Sequence, residues 1–171
     1  MTRDIAGAFN HRYPGTFTLP ESIISDGTMT IPGIDGRKMS KSYNNYIDIF
    51  LPEKELRKKV MSIVTDAKTV EEPKNADSCI VYQIFSLVAG QNEDLEMRRN
   101  LEGGNYGYGT AKQVLFEKLM SNFASEREKF NHFFNDRTVV GNELKKGAEK
   151  ARDISGPVLA RVRKNLGFNL K

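Results

Sequence analysis

The segment Ser78-Cys-Ile-Val-Tyr-Gln-Ile-Phe-Ser-Leu-Val-Ala-Gly90 is almost wholly apolar and ends at a glycine. Such a run with a glycine stop predicts a buried helix over 78–89. Cys79, at the head of this helix, is expected to be an inert thiol in the core. The chain around this helix is therefore expected to form a helical bundle.

Three more helices are predicted downstream, over 93–102, 110–135 and 139–165. The last is expected to be interrupted at Gly141, Gly147 and Gly156-Pro157. In the helix predicted over 110–135, apolar residues recur at helical spacing and predict a face in the bundle core. They are Val114, Leu115, Leu119, Phe123, Phe130 and Phe134. The glycine-rich segment 103–109 follows a helix and fits no dinucleotide fingerprint, which favours an interhelix turn over a phosphate cradle.

The first third of the sequence is richer in loops. A short helix is predicted over 2–11, with Thr2 as its cap. Strand-like pieces at 17–19 and 22–24 lie between proline and glycine breakers. Pro52 suits the first position of a helix that is predicted to run to about residue 64, with Leu56, Val60 and Ile63 as its apolar stripe.

Composition excludes several classes of protein. The chain has 171 residues, of which 39% are hydrophobic and 28% are charged, as in a globular protein. No stretch reaches the roughly 18 apolar residues that span a bilayer. The first ten residues include an acid and no long apolar run, so they are not expected to act as a secretory signal. One cysteine rules out an internal disulfide and fits a reducing cytoplasm. Two histidines and one cysteine cannot build a zinc site, so no metal-ligating residues are predicted.

Positive charge is concentrated at the C-terminal end. The net charge is +4, and residues 141–171 alone hold eight basic and three acidic groups. This excess raises the expectation of a polyanionic partner such as RNA, although a solvated helix face would look the same. The candidate RNA-binding residues are Lys145, Lys146, Lys150, Arg152, Arg161, Arg163 and Lys164.

The tract Ile31-Pro-Gly-Ile-Asp-Gly-Arg-Lys-Met-Ser-Lys-Ser-Tyr-Asn-Asn45 carries the clearest chemical signal. Cations at 37, 38 and 41 alternate with the hydroxyls of Ser40 and Ser42 on a glycine-flanked loop. Cations, hydroxyls and exposed amide groups are what a polyphosphate requires. The spacing is not that of a P-loop. Taken alone, the same residues could form an ordinary charged surface loop.

The order of motifs along the chain favours a polyphosphate-binding loop over an ordinary charged surface loop. Lys38-Met-Ser-Lys-Ser42 is the signature loop of class I aminoacyl-tRNA synthetases. Arg3-Asp-Ile-Ala6, Leu19-Pro-Glu21, Tyr106-Gly107 and Gly147-Ala-Glu-Lys-Ala-Arg152 surround it in an order that resembles the tryptophanyl-tRNA synthetase family. Tyrosyl-tRNA synthetase is a distant second, because it is not expected to share the C-terminal helical pattern.

The resemblance implies a fold and a domain division. The chain is expected to be mainly α, a C-terminal helical bundle preceded by a short strand and loop remnant of a Rossmann-type nucleotide-binding domain. Residues 1–75 would be the end of the catalytic domain. Residues 76–171 would be the helical domain that binds the tRNA anticodon.

The resemblance also implies an activity and its residues. The family activates tryptophan with ATP and Mg2+, then transfers it to tRNA(Trp). The nucleotide would be bound by Lys38, Met39, Ser40, Lys41 and Ser42. Lys41 would be the main catalytic partner of the departing pyrophosphate, with Lys38 assisting. Family enzymes are dimers, so a second copy of the chain is also a candidate partner.

One departure from the family pattern is large. Family enzymes are about twice this length, and neither His11 nor His132 lies in the His-x-Gly-His signature that binds ATP. The chain is therefore interpreted as a C-terminal half, which is expected to be inactive alone. The alternative is a helical RNA-binding module without catalysis.

Overall fold

The computed structural model describes residues 1–23 and 30–168, and this part of the chain is mainly α-helical. Seven α-helices and one 3-10 turn lie within it. The helices are α1 Thr2–Arg12, α2 Glu53–Met61, α3 Ile80–Ser86, α4 Gln91–Gly103, α5 Tyr108–Asn122, α6 Ala124–Asn135 and α7 Arg137–Asn165. The 3-10 turn spans Lys41–Tyr43. The predicted helical fold class is confirmed.

The chain forms two compact units. One contains residues 25–132 and the other contains residues 1–24 together with 133–171. The boundary predicted after residue 75 separates a catalytic part from a tRNA-binding part, whereas these units are defined by compactness. The functional boundary therefore stays a prediction. No helix in the described ranges is long and apolar enough to cross a bilayer.

The 25–132 unit is organised around α5, against which α2 and α3 pack, while α3 also contacts α4. Leu56 and Val60 on α2 lie fully buried, at the apolar positions predicted for this helix. From the other helices Val81, Leu101 and Leu115 complete the centre of the core. Cys79 is buried and reduced, as expected. The segment between α4 and α5 is the predicted interhelix turn, entered through Gly103.

The unit of residues 1–24 and 133–171 is joined by polar contacts at Thr16, which is 1% exposed. The Thr16 hydroxyl accepts a 2.7 Å hydrogen bond from Asn165 Nδ2 near the end of α7. Arg161 donates to the Thr16 carbonyl at 3.4 Å. Two chain ends that are distant in sequence are thereby held together.

The strand predicted at 17–19 is wrong, and the reason lies in Asn10. Its amide donates to the Phe17 carbonyl at 2.8 Å, and its oxygen accepts from the Phe17 N–H at 2.9 Å. A side chain therefore satisfies the backbone groups that a neighbouring strand would otherwise bind. The piece at 22–24 lies partly outside the described residues. In the described ranges, the only β-type pairing is a single bridge between Pro32 and Lys38.

Three helix predictions need correction. Thr2 does not cap α1: Met1 is the cap residue, and its ammonium pairs with Asp4 at 2.8 Å. The helix predicted over 110–135 is two helices, because Phe123 leaves helical geometry at φ −105° and ψ 17°. Helix α7 runs uninterrupted through its glycines, each of which costs a helix only about 0.5–1 kcal/mol. It also continues through Pro157, although a proline inside a helix costs about 3 kcal/mol.

The break at Phe123 also corrects the predicted apolar face. Leu115 and Leu119, before the break, are buried in the core. Phe130 and Phe134, beyond it, are 38% and 73% exposed and are not core residues. Phe130 stacks instead on the ring of Phe50, with 4.6 Å between centroids.

Candidate functional site

The tract 31–45 folds back on itself as a compact loop. The Met39 N–H donates to the Ile31 carbonyl at 2.8 Å, and the Gly33 N–H donates to the Arg37 carbonyl at 2.7 Å. Gly36 turns the chain between them at φ 81°, in the left-handed region that favours glycine. These bonds pair residues 31–33 with residues 37–39 across a chain reversal at 34–36. After the reversal, Arg37, Lys38, Lys41 and Ser42 are exposed.

Asn45 lies beneath this loop and is only 2% exposed. Its Nδ2 donates to Asp35 Oδ1 at 2.8 Å and to the Lys38 carbonyl at 3.2 Å. Its Oδ1 accepts from the Ser40 N–H at 2.7 Å. Its own carbonyl accepts from the Ile34 N–H at 2.8 Å. One buried side chain thus contacts the loop at three separate points.

The signature residues themselves form a capped turn. The Ser40 hydroxyl accepts from the Ser42 N–H at 3.2 Å, at the start of the 3-10 turn that begins with Lys41. The turn closes at Asn44, which adopts φ 52° and ψ 26° and donates to the Lys41 carbonyl. Lys59 on α2 donates to the Asn44 carbonyl at 3.0 Å. The turn is thereby tied to a helix whose other face lies in the core.

The three cations of the loop differ in their partners. Arg37 pairs with Asp35 at 2.7 Å and lies over the Tyr43 ring at 4.8 Å. Hydrogen bonds from Asn45 and then Arg37 lower the pKa of Asp35 below its usual value. Lys38 and Lys41 are both exposed. Among the described residues, no carboxylate lies within ion-pair distance of either ammonium.

This arrangement can bind a polyphosphate. Exposed lysines near a fixed backbone offer charge-assisted hydrogen bonds to phosphate oxygens. Met39 and Ser40 are half-buried and Ser42 is exposed, which leaves the Ser42 hydroxyl accessible next to Lys41. Within residues 1–23 and 30–168, no three His, Cys, Asp or Glu side chains converge on a metal site.

The seven candidate RNA-binding residues all lie on α7 and are all exposed. Lys146 is paired with Glu143 at 2.7 Å, and Arg161 is already bonded to the Thr16 carbonyl. Lys145 and Arg152 are seven residues apart and share a side of the helix. The structure thus brings the predicted residues onto one element, two of them with protein partners.

The sequence predictions gave neither Asn45 nor Asp35 an individual role, although both lie in the tract 31–45. Asparagine and aspartate are common loop residues, so neither stands out by type. The glycine at position 33 is the one trace of this contact in the sequence, because a Cβ there would lie 2.3 Å from Asn45 Nδ2. Recognising that trace requires the fold.

Comparison with known proteins identifies the family to which the chain belongs. A family model for tRNA synthetases of class I (W and Y) matches residues 1–153, and the chain belongs to this family. The tryptophan–tRNA ligases of Fusobacterium nucleatum and Rhodopirellula baltica are 41% and 38% identical to it. Each alignment covers 98% of this chain and 52% of the relative. The chain therefore spans about half the length of these relatives.

A solved structure agrees with the sequence relatives. The tryptophanyl-tRNA synthetase of Campylobacter jejuni, complexed with ADP and tryptophan, superposes with a TM-score of 0.81 at 37% identity. The match covers 96% of this chain and 52% of that one. The particular relatives are thus tryptophan enzymes, within a family that includes tyrosine enzymes.

Proposed function

We propose that this chain acts as the C-terminal half of a tryptophan–tRNA ligase, which in intact form activates tryptophan with ATP and charges tRNA(Trp). The observation that carries the proposal is the loop that presents Lys38 and Lys41 with no carboxylate of the described residues within ion-pair distance. Membership of the family supports nucleotide phosphate as the ligand of that loop. The setting would be the cytoplasm, where tRNA is charged.

The proposed chemistry is the formation of an aminoacyl adenylate. A carboxylate oxygen of tryptophan attacks the α-phosphorus of ATP, and the bond from that phosphorus to the bridging oxygen breaks. Negative charge moves onto the leaving pyrophosphate. Lys41 stabilises that charge more strongly than it stabilises bound ATP, with Lys38 assisting. The loss of one such donor typically costs about 3–4 kcal/mol of transition-state stabilisation.

Mg2+ fits this proposal as a companion of the nucleotide. Mg2+ in nucleotide sites is held largely by phosphate oxygens and water, with few protein ligands. The described residues offer Lys38, Lys41 and Ser42 to the phosphates. The ion would neutralise phosphate charge, while the two lysines hold the leaving group.

The second part of the proposal concerns tRNA. The exposed basic residues of α7 would contact tRNA phosphates, whose neutralisation supplies most of the salt-dependent affinity for nucleic acids. The alternative function, an RNA-binding module without catalysis, rests on the same helix. The two functions differ in whether Lys41 is needed: the ligase requires it for catalysis, and the RNA-binding module does not.

Pyrophosphate binding to the 171-residue chain tests the role of the loop. Amide shifts in NMR spectra would follow the titration for the native chain, Lys41→Ala and the control Lys54→Ala, an exposed lysine on α2. We expect Lys41→Ala to weaken binding at least tenfold and Lys54→Ala to leave it unchanged. Equal binding by all three would refute the phosphate role.

Tryptophan-dependent ATP–pyrophosphate exchange tests the catalytic part. We expect no exchange from this chain alone, because the His-x-Gly-His signature of the family does not occur in it. Robust exchange that Lys41→Ala abolishes would show that these residues suffice for adenylate formation. The view of the chain as one half of the catalyst would then be wrong.

A further inference from the structure

We propose that Asn45 is a positioning residue that holds the loop of residues 37–42, here called the lysine loop, in its phosphate-binding shape. The inference rests on the proposed function and adds a residue to it. Asn45 is not expected to touch the nucleotide, because it lies buried beneath the loop. It would act through the backbone that carries Lys38 and Lys41.

The chemistry of the site requires an asparagine. Both available interactions of Nδ2 are donations, to Asp35 Oδ1 and to the Lys38 carbonyl, while Oδ1 accepts from the Ser40 N–H. An aspartate at this position could accept but not donate, and it would set a second carboxylate against Asp35. An alanine would remove all three bonds. Asp35 would keep its bonds from Arg37, but the Lys38 carbonyl and the Ser40 N–H would lose their bonds to Asn45, and unpaired polar groups are costly where water cannot replace the partner.

The bonds of Asn45 lie on both sides of Met39, between the two lysines. One holds the carbonyl of Lys38 and the other holds the N–H of Ser40. The Ser40 hydroxyl in turn caps the turn that starts at Lys41. Asn45 therefore fixes the backbone at one lysine directly and at the other through one residue. Fixing donors before the charge develops is what makes them effective.

Gly33 supplies an independent observation. Its N–H is bonded to Arg37 across the loop, and a Cβ would lie 2.3 Å from Asn45 Nδ2 and 2.7 Å from the Asn45 carbonyl. Real Cβ atoms essentially never approach so closely. The backbone at Gly33 thus packs directly on the Asn45 side chain. We expect Gly33 and Asn45 to fix the loop together.

The test is pyrophosphate titration of the whole chain, with Asn45→Ala, Asn45→Asp and Gly33→Ala as variants. A matched control is Asn10→Ala, since Asn10 also binds one residue of its own loop at two backbone points. We expect about tenfold weaker binding in each Asn45 variant and in Gly33→Ala, the loss that follows when a competent loop falls to about a tenth of the population. The control should bind as the native chain does.

Amide hydrogen exchange separates positioning from general stability. In Asn45→Ala we expect faster exchange at Met39 and Ser40, with unchanged exchange in α5. Acceleration throughout α5 would mean that Asn45 stabilises the unit as a whole, which would overturn the inference. Asn45→Asp keeps the size of the side chain and serves if the alanine variant does not fold.

The outcomes distinguish the inference from the function on which it rests. If Lys41→Ala weakens pyrophosphate binding while both Asn45 variants bind normally, the positioning role is overturned and the phosphate role stands. If Lys41→Ala itself has no effect, the phosphate role fails, and the positioning role fails with it. Weak binding in Lys41→Ala and Asn45→Asp, with a normal Asn10→Ala, supports both.

Discussion

The buried ammonium of Lys74 donates a 2.8 Å hydrogen bond to the carbonyl oxygen of Thr69. The same group donates to the carbonyls of Val70 and Glu72, at 3.2 and 2.8 Å. Lys74 is only 2% exposed, and its backbone N–H donates to the Leu101 carbonyl near the end of α4. One lysine thus organises the connection between α2 and α3 and ties it to α4.

Lys74→Met should therefore destabilise the chain. Methionine keeps an unbranched side chain but removes three charge-assisted hydrogen bonds that are partly buried. Bonds to charged groups contribute about 1.5–3 kcal/mol each, and unpaired partners add to the loss. We expect the free energy of unfolding to fall by about 3 kcal/mol, measured by urea denaturation.

Lys68→Met is the matched control for that measurement. Lys68 lies in the same connection and donates to one carbonyl, that of Pro73, at 2.7 Å, but it is exposed. Its loss should cost less than about 1 kcal/mol, because water replaces the bond. Equal losses in the two variants would contradict the organising role of Lys74.

The pair of Asp66 and Tyr108 predicts how stability changes with pH. The Tyr108 hydroxyl donates to Asp66 Oδ1 at 2.7 Å, and this bond is the main cause that lowers the pKa of Asp66. Burial, followed by the same bond, raises the pKa of Tyr108 above its ordinary value. The aspartate contribution is therefore present above about pH 4 and is lost as the pH falls. The tyrosine contribution is present below about pH 10 and is lost as the pH rises.

Tyr108→Phe should flatten both limbs of the stability curve, and Asp66→Asn should flatten mainly the acid limb. Urea denaturation of the native chain and both variants, between pH 2.5 and 11, provides the measurement. A native acid limb that survives intact in Tyr108→Phe would show that the hydrogen bond is not what lowers the pKa of Asp66.

Helices α2, α3 and α5 could be predicted from the sequence, because each carries apolar residues that are buried in the core. Leu56 and Val60 are buried where periodicity placed them. The break at Phe123 could not be predicted, since the apolar spacing continues across it. The strand at 17–19 failed because Asn10 binds the backbone there, a contact between residues seven apart.

The lysine loop shows the same division between local and nonlocal information. Its motif is contiguous, so the sequence alone identified Lys38 through Ser42 as the candidate site. The roles of Asp35 and Asn45 depend on a chain reversal that brings positions ten apart into a 2.8 Å contact. Residue type and spacing do not encode that contact in a form that can be read without the fold.

Salt dependence of tRNA binding tests the basic surface of α7. If about three phosphates are neutralised, the logarithm of the binding constant should fall with the logarithm of salt at a slope near −2. A triple variant, Lys145→Ala, Arg152→Ala and Arg163→Ala, should flatten that slope. These three are chosen because the structure shows Lys146 and Arg161 already bonded to other residues.

An equal loss of charge elsewhere provides the control for the α7 variant. Lys54, Lys58 and Lys129 are exposed and lie on α2 and α6. Their replacement by alanine removes three positive charges but none from α7, so the slope should stay near −2. A similar flattening in both triple variants would mean that net charge, rather than the α7 surface, governs binding.

Arg127 on α6 joins the segment after the lysine loop to the helices. Its guanidinium donates to the Ile49 carbonyl and, at 2.8 Å, to the Leu51 carbonyl. Arg127→Met should lower the free energy of unfolding by about 2 kcal/mol, because two half-buried carbonyls lose a charged donor. Amide exchange should accelerate at Phe50, between the two bonded carbonyls, more than in α4. Arg99→Met, which removes only a contact within α4, should change neither quantity, and a loss equal to that of Arg127→Met would refute the bridging role.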